Sequence, residues 1–133
     1  MSDFSRFMRA NKALVQNVKY AATASLSDED GKPLLWEFRR ISSKENSLIQ
    51  DEVMSADNIT AKASEYIHRL IAKSTVYPDL YDAALQDSYN ARTPEELLYA
   101  LVDNPGEYNA LAVFVQNLNG ISPLSEKVDN AKN

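Results

Sequence analysis

The sequence predicts an α+β protein that is mainly α-helical, with an N-terminal amphipathic segment and a β-hairpin followed by a small helical bundle. Apolar residues alternate with a period of two on both sides of an Asp30-Gly31 turn, which is typical of a hairpin. From residue 42 onward the apolar period becomes helical and several capping signals appear. No internal repeat or long linker interrupts the 133 residues, so we expect a single domain.

Four parts make up this predicted domain: an N-terminal arm, the β-hairpin, the helical bundle and a polar tail. Their expected ranges are residues 1–17, 18–41, 42–120 and 121–133. In the arm, Phe4, Phe7, Met8, Leu14 and Val15 follow helical spacing, which predicts a short amphipathic helix.

The hairpin is predicted to consist of strands at residues 18–26 and 35–41, joined by a turn at residues 27–33. Successive side chains of a strand point to opposite faces, so Trp36 and Phe38 share one face of the second strand. We therefore expect Trp36 to be a structural residue that covers the helices.

Helix starts are marked by residues that can accept hydrogen bonds from free backbone N–H groups. Ser42 and Glu45 form a capping box that opens a helix to about residue 54, and Asp57 or Asn58 can begin a second helix that ends before Pro78. Three later starts are predicted at Asp79, at Thr93-Pro94-Glu95-Glu96 and at Asn104-Pro105-Gly106-Glu107, the last helix stopping near Gly120.

The composition argues against several classes of protein. The net charge of −5 disfavours nucleic acid as a general partner, since phosphate backbones repel an acidic surface. No apolar run approaches the roughly 20 residues that span a bilayer, so no membrane partner is expected. The absence of Cys excludes disulfides and thiolate metal sites.

The residue types needed for catalysis are scarce. The single histidine, His68, has no second His or Cys to form a catalytic pair, and three glycines cannot build a phosphate-binding loop. Asp28-Glu29-Asp30 lacks the spacing of a calcium loop. We therefore predict a protein that is not an enzyme and has no cofactor or metal site, with His68 in a structural or surface role.

Two groups of residues are candidates for protein contacts. Tyrosine suits interfaces because it combines a large rigid area with a polar tip, although part of this set can equally lie at the rim of the core. The partner-binding candidates are Tyr77, Tyr81, Tyr89, Tyr99 and Tyr108.

The self-association candidates are Phe4, Phe7 and Met8, in an arm that also carries Arg6 and Arg9. Residues 1–50 have eight basic and six acidic side chains, a balance of +2, whereas residues 51–133 have six and thirteen, a balance of −7. Such an arm can dock on a neighbour's acidic body, or it can fold back on its own core.

Three stretches, in this order and spacing, resemble the tail assembly chaperone family of PBSX-like prophages. They are residues 4–11, residues 28–42 with Gly31-Lys32-Pro33-Leu34-Leu35-Trp36, and residues 72–120 with Val76-Tyr77-Pro78-Asp79-Leu80 and Pro105-Gly106-Glu107-Tyr108. Asn90-Ala91 departs from the Gly expected there, but Asn tolerates the left-handed conformation of a helix C-cap.

The resemblance implies a chaperone that acts in the bacterial host cytoplasm and is absent from the mature virion. Such a protein binds the phage tape measure protein, keeps it soluble until the tail tube polymerises, and has the tail tube protein and further copies of itself as other partners. The alternative is a structural tail protein of the virion, a terminator or connector. A DNA-binding regulator and a small hydrolase are disfavoured by the acidic charge and the missing catalytic groups.

The family resemblance also implies that a longer form can be made by ribosomal slippage. The ending Ala131-Lys132-Asn133 permits a slippery codon run, so a frameshifted extension after the polar tail is an expectation that the gene sequence can test.

Overall fold

The computed structural model describes residues 3–54 and 59–121. A three-stranded antiparallel sheet in the order β1-β2-β3 is formed by β1 (Val18–Tyr20), β2 (Trp36–Phe38) and β3 (Thr75–Tyr77). The α-helices of the described residues are α1 (Ser43–Met54), α2 (Ile59–Ser74), α3 (Ala83–Ser88), α4 (Pro94–Leu101) and α5 (Pro105–Leu118). The predicted fold class is confirmed. The capping positions 57 and 58, and the tail from residue 122, lie outside the described residues.

The N-terminal arm is not the predicted amphipathic α-helix. It forms two short 3-10 turns, Asp3–Phe7 and Arg9–Asn11, followed by extended chain up to β1. The side-chain amide of Asn11 donates to the Ser5 carbonyl and so competes with the helical backbone bonds. A segment this short also needs packing to stabilise an α-helix, and its apolar side chains remain exposed.

The β-hairpin is confirmed, but its strands are shorter than predicted. Val18 lies opposite Phe38 and Tyr20 opposite Trp36. Beyond Tyr20 the chain leaves the sheet, because Thr23 and the backbone N–H of Ala24 both donate to the carboxylate of Glu107 at the start of α5, at 2.7 and 2.8 Å. These bonds anchor the hairpin to the last helix.

The hairpin turn lies at the predicted residues, but the acceptor role of Asp28 was not predicted. One carboxylate oxygen of Asp28 accepts from the N–H groups of Asp30 and Lys32, and Gly31 has a positive φ of 81°. A single bridge between Ser27 and Pro33 closes the base of the turn.

Strand β3 was not predicted. It follows α2 directly, consists of Thr75, Val76 and Tyr77, and pairs with β2. The residue before a proline is disfavoured in the helical region, and β-branched and aromatic residues fit a pleated sheet. The helix therefore ends before Pro78 as predicted, and the residues between become the third strand.

Most predicted helix caps are confirmed. Ser42 and Glu45 exchange the two hydrogen bonds of a capping box, and the side chains of Thr93 and Asn104 cap α4 and α5. The start of α3 is a correction. Asp82, three residues later than predicted, accepts from the N–H of Leu85.

Asp79 instead accepts from the N–H of Tyr81 in a local turn.

The hydrophobic core lies where α2 contacts α1, α4 and α5 and where the sheet covers the bundle. Leu70, Ile71, Leu97, Leu98 and Leu111 are fully buried there.

The sheet contributes Phe38, which is fully buried, and Trp36, which is 2% exposed and confirms the expected structural position. Tyr20 stacks on Phe114 of α5 with ring centroids 4.2 Å apart, which joins sheet and helix.

Candidate functional site

The five candidate tyrosines do not form one surface. Tyr77 and Tyr89 line an apolar groove beside the hairpin, Tyr81 borders a charged cleft between helices, and Tyr99 and Tyr108 pack together next to His68. The residue type alone therefore does not show which of these tyrosines lie together.

We name the first of these surfaces the apolar groove. It has a volume of about 170 Å³ and is lined by Leu26, Leu34, Leu35 and Trp36 from the hairpin, by Tyr77 at the end of β3 and Pro78 after it, by Leu85 and Leu101 from helices, and by Tyr89 directly after α3. Trp36 forms a buried part of the wall, whereas Leu35 and Tyr77 are 57% and 65% exposed.

Local hydrogen bonds hold the groove in shape. The N–H of Leu34 donates to the Leu26 carbonyl at 2.9 Å, so these two leucines stay side by side at the base of the turn. Asn90 has a positive φ of 56° and ends the α3 segment, as its residue type predicted, which sets the position of Tyr89.

The leucines of this groove were missed as candidates. A signal for them exists in the sequence, because Leu34 and Leu35 are consecutive and a strand points consecutive side chains to opposite faces. They cannot both be core residues of one strand face. Together with Tyr77 they leave large apolar side chains exposed beside the groove, which makes this surface a candidate site of protein contact.

The size of the groove suits side chains better than a metabolite. Ligand pockets for small molecules usually span roughly 300–1,000 Å³ and place a few polar groups in a mostly apolar lining. This groove is smaller and its lining is mostly leucine and aromatic. It can therefore take one or two apolar side chains of another polypeptide.

The second surface is a structural cluster around His68. His68 is 3% exposed, its Nε2 lies 2.7 Å from the Glu95 carbonyl oxygen, and its Nδ1 lies 2.7 Å from the Tyr108 hydroxyl. A carbonyl only accepts, so Nε2 carries the proton and Nδ1 accepts from Tyr108. The imidazole ring stacks on the ring of Tyr99, with the two ring centroids 3.7 Å apart.

This arrangement explains two of the candidate tyrosines. Burial raises the pKa of Tyr108 well above its usual value, and its hydroxyl is used inside the fold. Tyr99 is 49% exposed and covers the histidine. Tyr108 therefore contributes to stability, and Tyr99 presents one edge to solvent.

The buried His68 predicts a pH dependence of stability. Burial lowers the pKa of His68 below its ordinary 6.5, against smaller opposing effects of Glu95 and Glu65. The unfolded chain therefore takes up a proton that the folded chain resists. We expect the free energy of unfolding to fall as the pH drops from about 7.5 to about 5, as measured by urea denaturation.

The variant His68→Gln provides the comparison, because His68 is the only histidine of the chain. Glu45 and Glu107 have lowered pKa values, about 2 for Glu45, so their effects on stability arise below the ordinary carboxylate value of 4.5. The variant should show a smaller change between these two pH values. An equal change in parent and variant would contradict this assignment.

Tyr81 stands apart from the other tyrosines. It is 69% exposed beside Leu48 and a set of ion pairs, in which Arg69 binds both Glu52 and Glu65. Such a mixed surface offers no continuous apolar area.

The self-association candidates of the arm all lie at the surface. Phe4, Phe7 and Met8 are 78%, 83% and 63% exposed, and Leu14 further along the arm is 94% exposed. In this structure the arm does not fold back to complete the core.

Within residues 3–54 and 59–121, no cluster of three or more His, Cys, Asp or Glu side chains is placed to hold a metal ion. In the same residues, none of the helices combines the length and the hydropathy of a membrane span.

Two comparisons with known proteins bear on this fold and this surface. The protein YqbN, known from a crystal structure, superposes with a TM-score of 0.80 over 92% of this chain and 99% of its own, at 20% sequence identity, which shows a shared fold. No curated protein sequence matches the chain. Residues 4–132 match the family described as phage XkdN-like tail assembly chaperone protein, with a non-catalytic role in assembling the tail. The chain therefore belongs to the XkdN-like family of phage tail assembly chaperones.

Proposed function

We propose that this chaperone binds apolar helical segments of the phage tape measure protein in the apolar groove and keeps that protein soluble until the tail tube polymerises. The observation that carries the proposal is the exposed apolar surface of Leu34, Leu35 and Tyr77 in a member of a tail assembly chaperone family.

The physical argument starts from the client. A tape measure protein is a long helical rod whose apolar stripes are meant for the interior of the tube, and exposed stripes of this kind aggregate. An amphipathic helix binds a groove by inserting side chains spaced at i, i+3 and i+4. The groove accepts one or two such side chains per copy, so affinity for the rod grows when many copies bind side by side.

This mechanism needs no catalytic step. Polymerising tail tube subunits displace the chaperone by covering the same apolar stripes, which makes the tail tube protein a second, indirect partner. In this proposal the protein is not an enzyme, works in the host cytoplasm, and leaves before the virion is mature. A terminator or connector would instead remain in purified particles.

Self-association belongs to the same proposal. The exposed Phe4, Phe7 and Met8 of the arm provide the apolar contacts between copies before the client is bound.

Co-expression with the tape measure protein tests client binding. We expect the parent chain to bring the tape measure protein into the soluble fraction and to co-purify with it. Leu35→Lys places a charge in the groove and should reduce the recovered client at least about tenfold, since a buried leucine contributes roughly 1.5–3 kcal/mol.

The matched control is Leu48→Lys on α1. Leu48 is 54% exposed, close to the 57% of Leu35, but it lies outside the groove. The Leu48→Lys variant should recover as much client as the parent chain. Equal recovery with Leu35→Lys and Leu48→Lys would exclude the groove, and an insoluble client with every variant would exclude the function.

A further inference from the structure

We propose that the N-terminal arm of one copy binds the apolar groove of a second copy, head to tail, and so covers the groove before the client arrives. The covering role rests on the proposed function of the groove, whereas the contact between arm and groove does not. The groove is thus the site that receives the arm, which self-association alone does not specify.

The arm has the side chains of a ligand for this groove. Phe7, Met8 and Leu14 are 83%, 63% and 94% exposed and lie on a segment of two short turns and extended chain. These large apolar side chains are therefore mostly exposed to solvent in the described part of the chain. A few side chains that fill well-packed pockets usually carry most of the binding energy of an interface.

The groove has the size and the exposure of the complementary surface. Its volume of about 170 Å³ suits one or two side chains, and its rim residues Leu34, Leu35 and Tyr89 are 42%, 57% and 37% exposed. An idle chaperone that showed both the arm and the groove to water would present two apolar surfaces, and these remove each other from water when they meet.

The charges of the two surfaces are opposite. Arm residues 3–17 contain three basic side chains and one acidic side chain, a balance of +2. The two segments that contribute most of the groove, residues 26–36 and 77–89, contain six acidic side chains and one basic side chain, a balance of −5. This complementarity favours approach of the arm and sets its orientation.

The arm is attached to the sheet at the end opposite to its own groove, and its apolar side chains are exposed instead of filling that groove. The arm joins β1 at Val18, which pairs with Phe38, whereas the groove lies beyond the other end of β2, next to Trp36 and the hairpin turn. The side-chain amide of Asn17 donates to Glu37 at 2.8 Å and holds the root of the arm on the sheet. The arm therefore leaves its own body at the end away from its own groove.

A contact of this kind is heterologous, since a different surface is used on each partner. Each added copy leaves one arm and one groove unused, so the product is a closed ring or an open spiral. The mass of the protein in solution should therefore increase with concentration beyond that of a dimer unless a small ring closes.

Two complementary variants of the full chain test the contact. The arm variant carries Phe7→Ser and Met8→Ser, and the groove variant carries Leu35→Lys. Each should self-associate at least about tenfold more weakly than the parent, because every remaining contact lacks one partner surface. Mixed together, they should form a one-to-one heterodimer and nothing larger, because only one intact arm can meet one intact groove. Light scattering after size-exclusion chromatography measures both results.

Matched controls keep this test specific. Gln16→Ala in the arm and Leu48→Lys outside the groove should associate like the parent. Circular dichroism checks that each variant is folded, and Tyr77→Ser replaces Leu35→Lys as the groove variant if the latter unfolds. If each arm instead binds the groove of its own chain, the mixed variants remain monomeric, and that result overturns the proposal.

Two other outcomes are equally decisive. A parent chain that is monomeric at every concentration, or an arm variant that associates like the parent, also overturns the proposal. The client test stays separate, because the arm variant has an intact groove and should still recover the tape measure protein. If the variants and their mixture associate as expected but neither the parent nor any variant recovers the client, the proposed function fails and the arm contact stands.

Discussion

Replacing Trp36 by alanine is expected to lower the free energy of unfolding by about 3–5 kcal/mol. The indole is 2% exposed, stacks near Phe38 with ring centroids 6.1 Å apart, and forms part of the groove wall. Removing it leaves a cavity between the sheet and the bundle that the surrounding side chains fill only in part. Urea denaturation monitored by circular dichroism measures the loss.

Tyr81→Ala is the matched control for this experiment. It removes a large aromatic side chain that is 69% exposed, so its effect should stay within about 0.5 kcal/mol of the parent. A Trp36→Ala protein that unfolds at the same urea concentration as the control would show that the indole is not part of the core in solution.

Replacing Asn119 by alanine is expected to cost about 2–3 kcal/mol, because it leaves partly buried groups without partners. The Oδ1 atom of Asn119 accepts from the Ile41 N–H at 2.8 Å, and Nδ2 donates to the Ser74 hydroxyl at 3.1 Å and to the Val115 carbonyl at 2.9 Å. This one side chain connects the end of α5 to the hairpin and to the junction of α2 with β3.

Asn119→Asp keeps the acceptor atom of this side chain and removes its donor. A carboxylate still accepts from Ile41 and can accept from the Ser74 hydroxyl, but it cannot donate to the Val115 carbonyl and it places a charge in a partly buried site. We therefore expect a loss comparable to that of alanine. Asn117→Ala, an exposed asparagine on the same helix, is the control and should resemble the parent. Retained stability in both Asn119 variants would show that water replaces this side chain.

The tyrosine content of the sequence does not show which tyrosines can reach a contact surface and which are used inside the fold. Tyr77 and Tyr89 reach the apolar groove, whereas the Tyr108 hydroxyl is bound to His68. All of these residues have the same chemistry in the sequence. Their roles differ because the chain buries one hydroxyl and leaves the other rings at the rim of a groove.

Local signals in the sequence determined much of the secondary structure. The capping box of Ser42 and Glu45, the caps Thr93 and Asn104, and the hairpin turn with Gly31 are all present as predicted. Each of these depends on hydrogen bonds within a few residues or on the allowed backbone angles of one residue. Such interactions are nearly independent of the rest of the fold.

Only the tertiary structure decided the features that join distant parts of the chain. Glu107 ends the hairpin strand early by binding Thr23 and Ala24, and the pairing of β3 with β2 converts residues 75–77 into a strand. The apolar groove likewise combines the hairpin, the end of β3 with Pro78, and residues of α3, its C-cap and α4. Periodicity reports which side of an element is apolar, but not which partner covers that side. That choice depends on long-range packing, which is why the sequence predicted the elements and the structure located the groove.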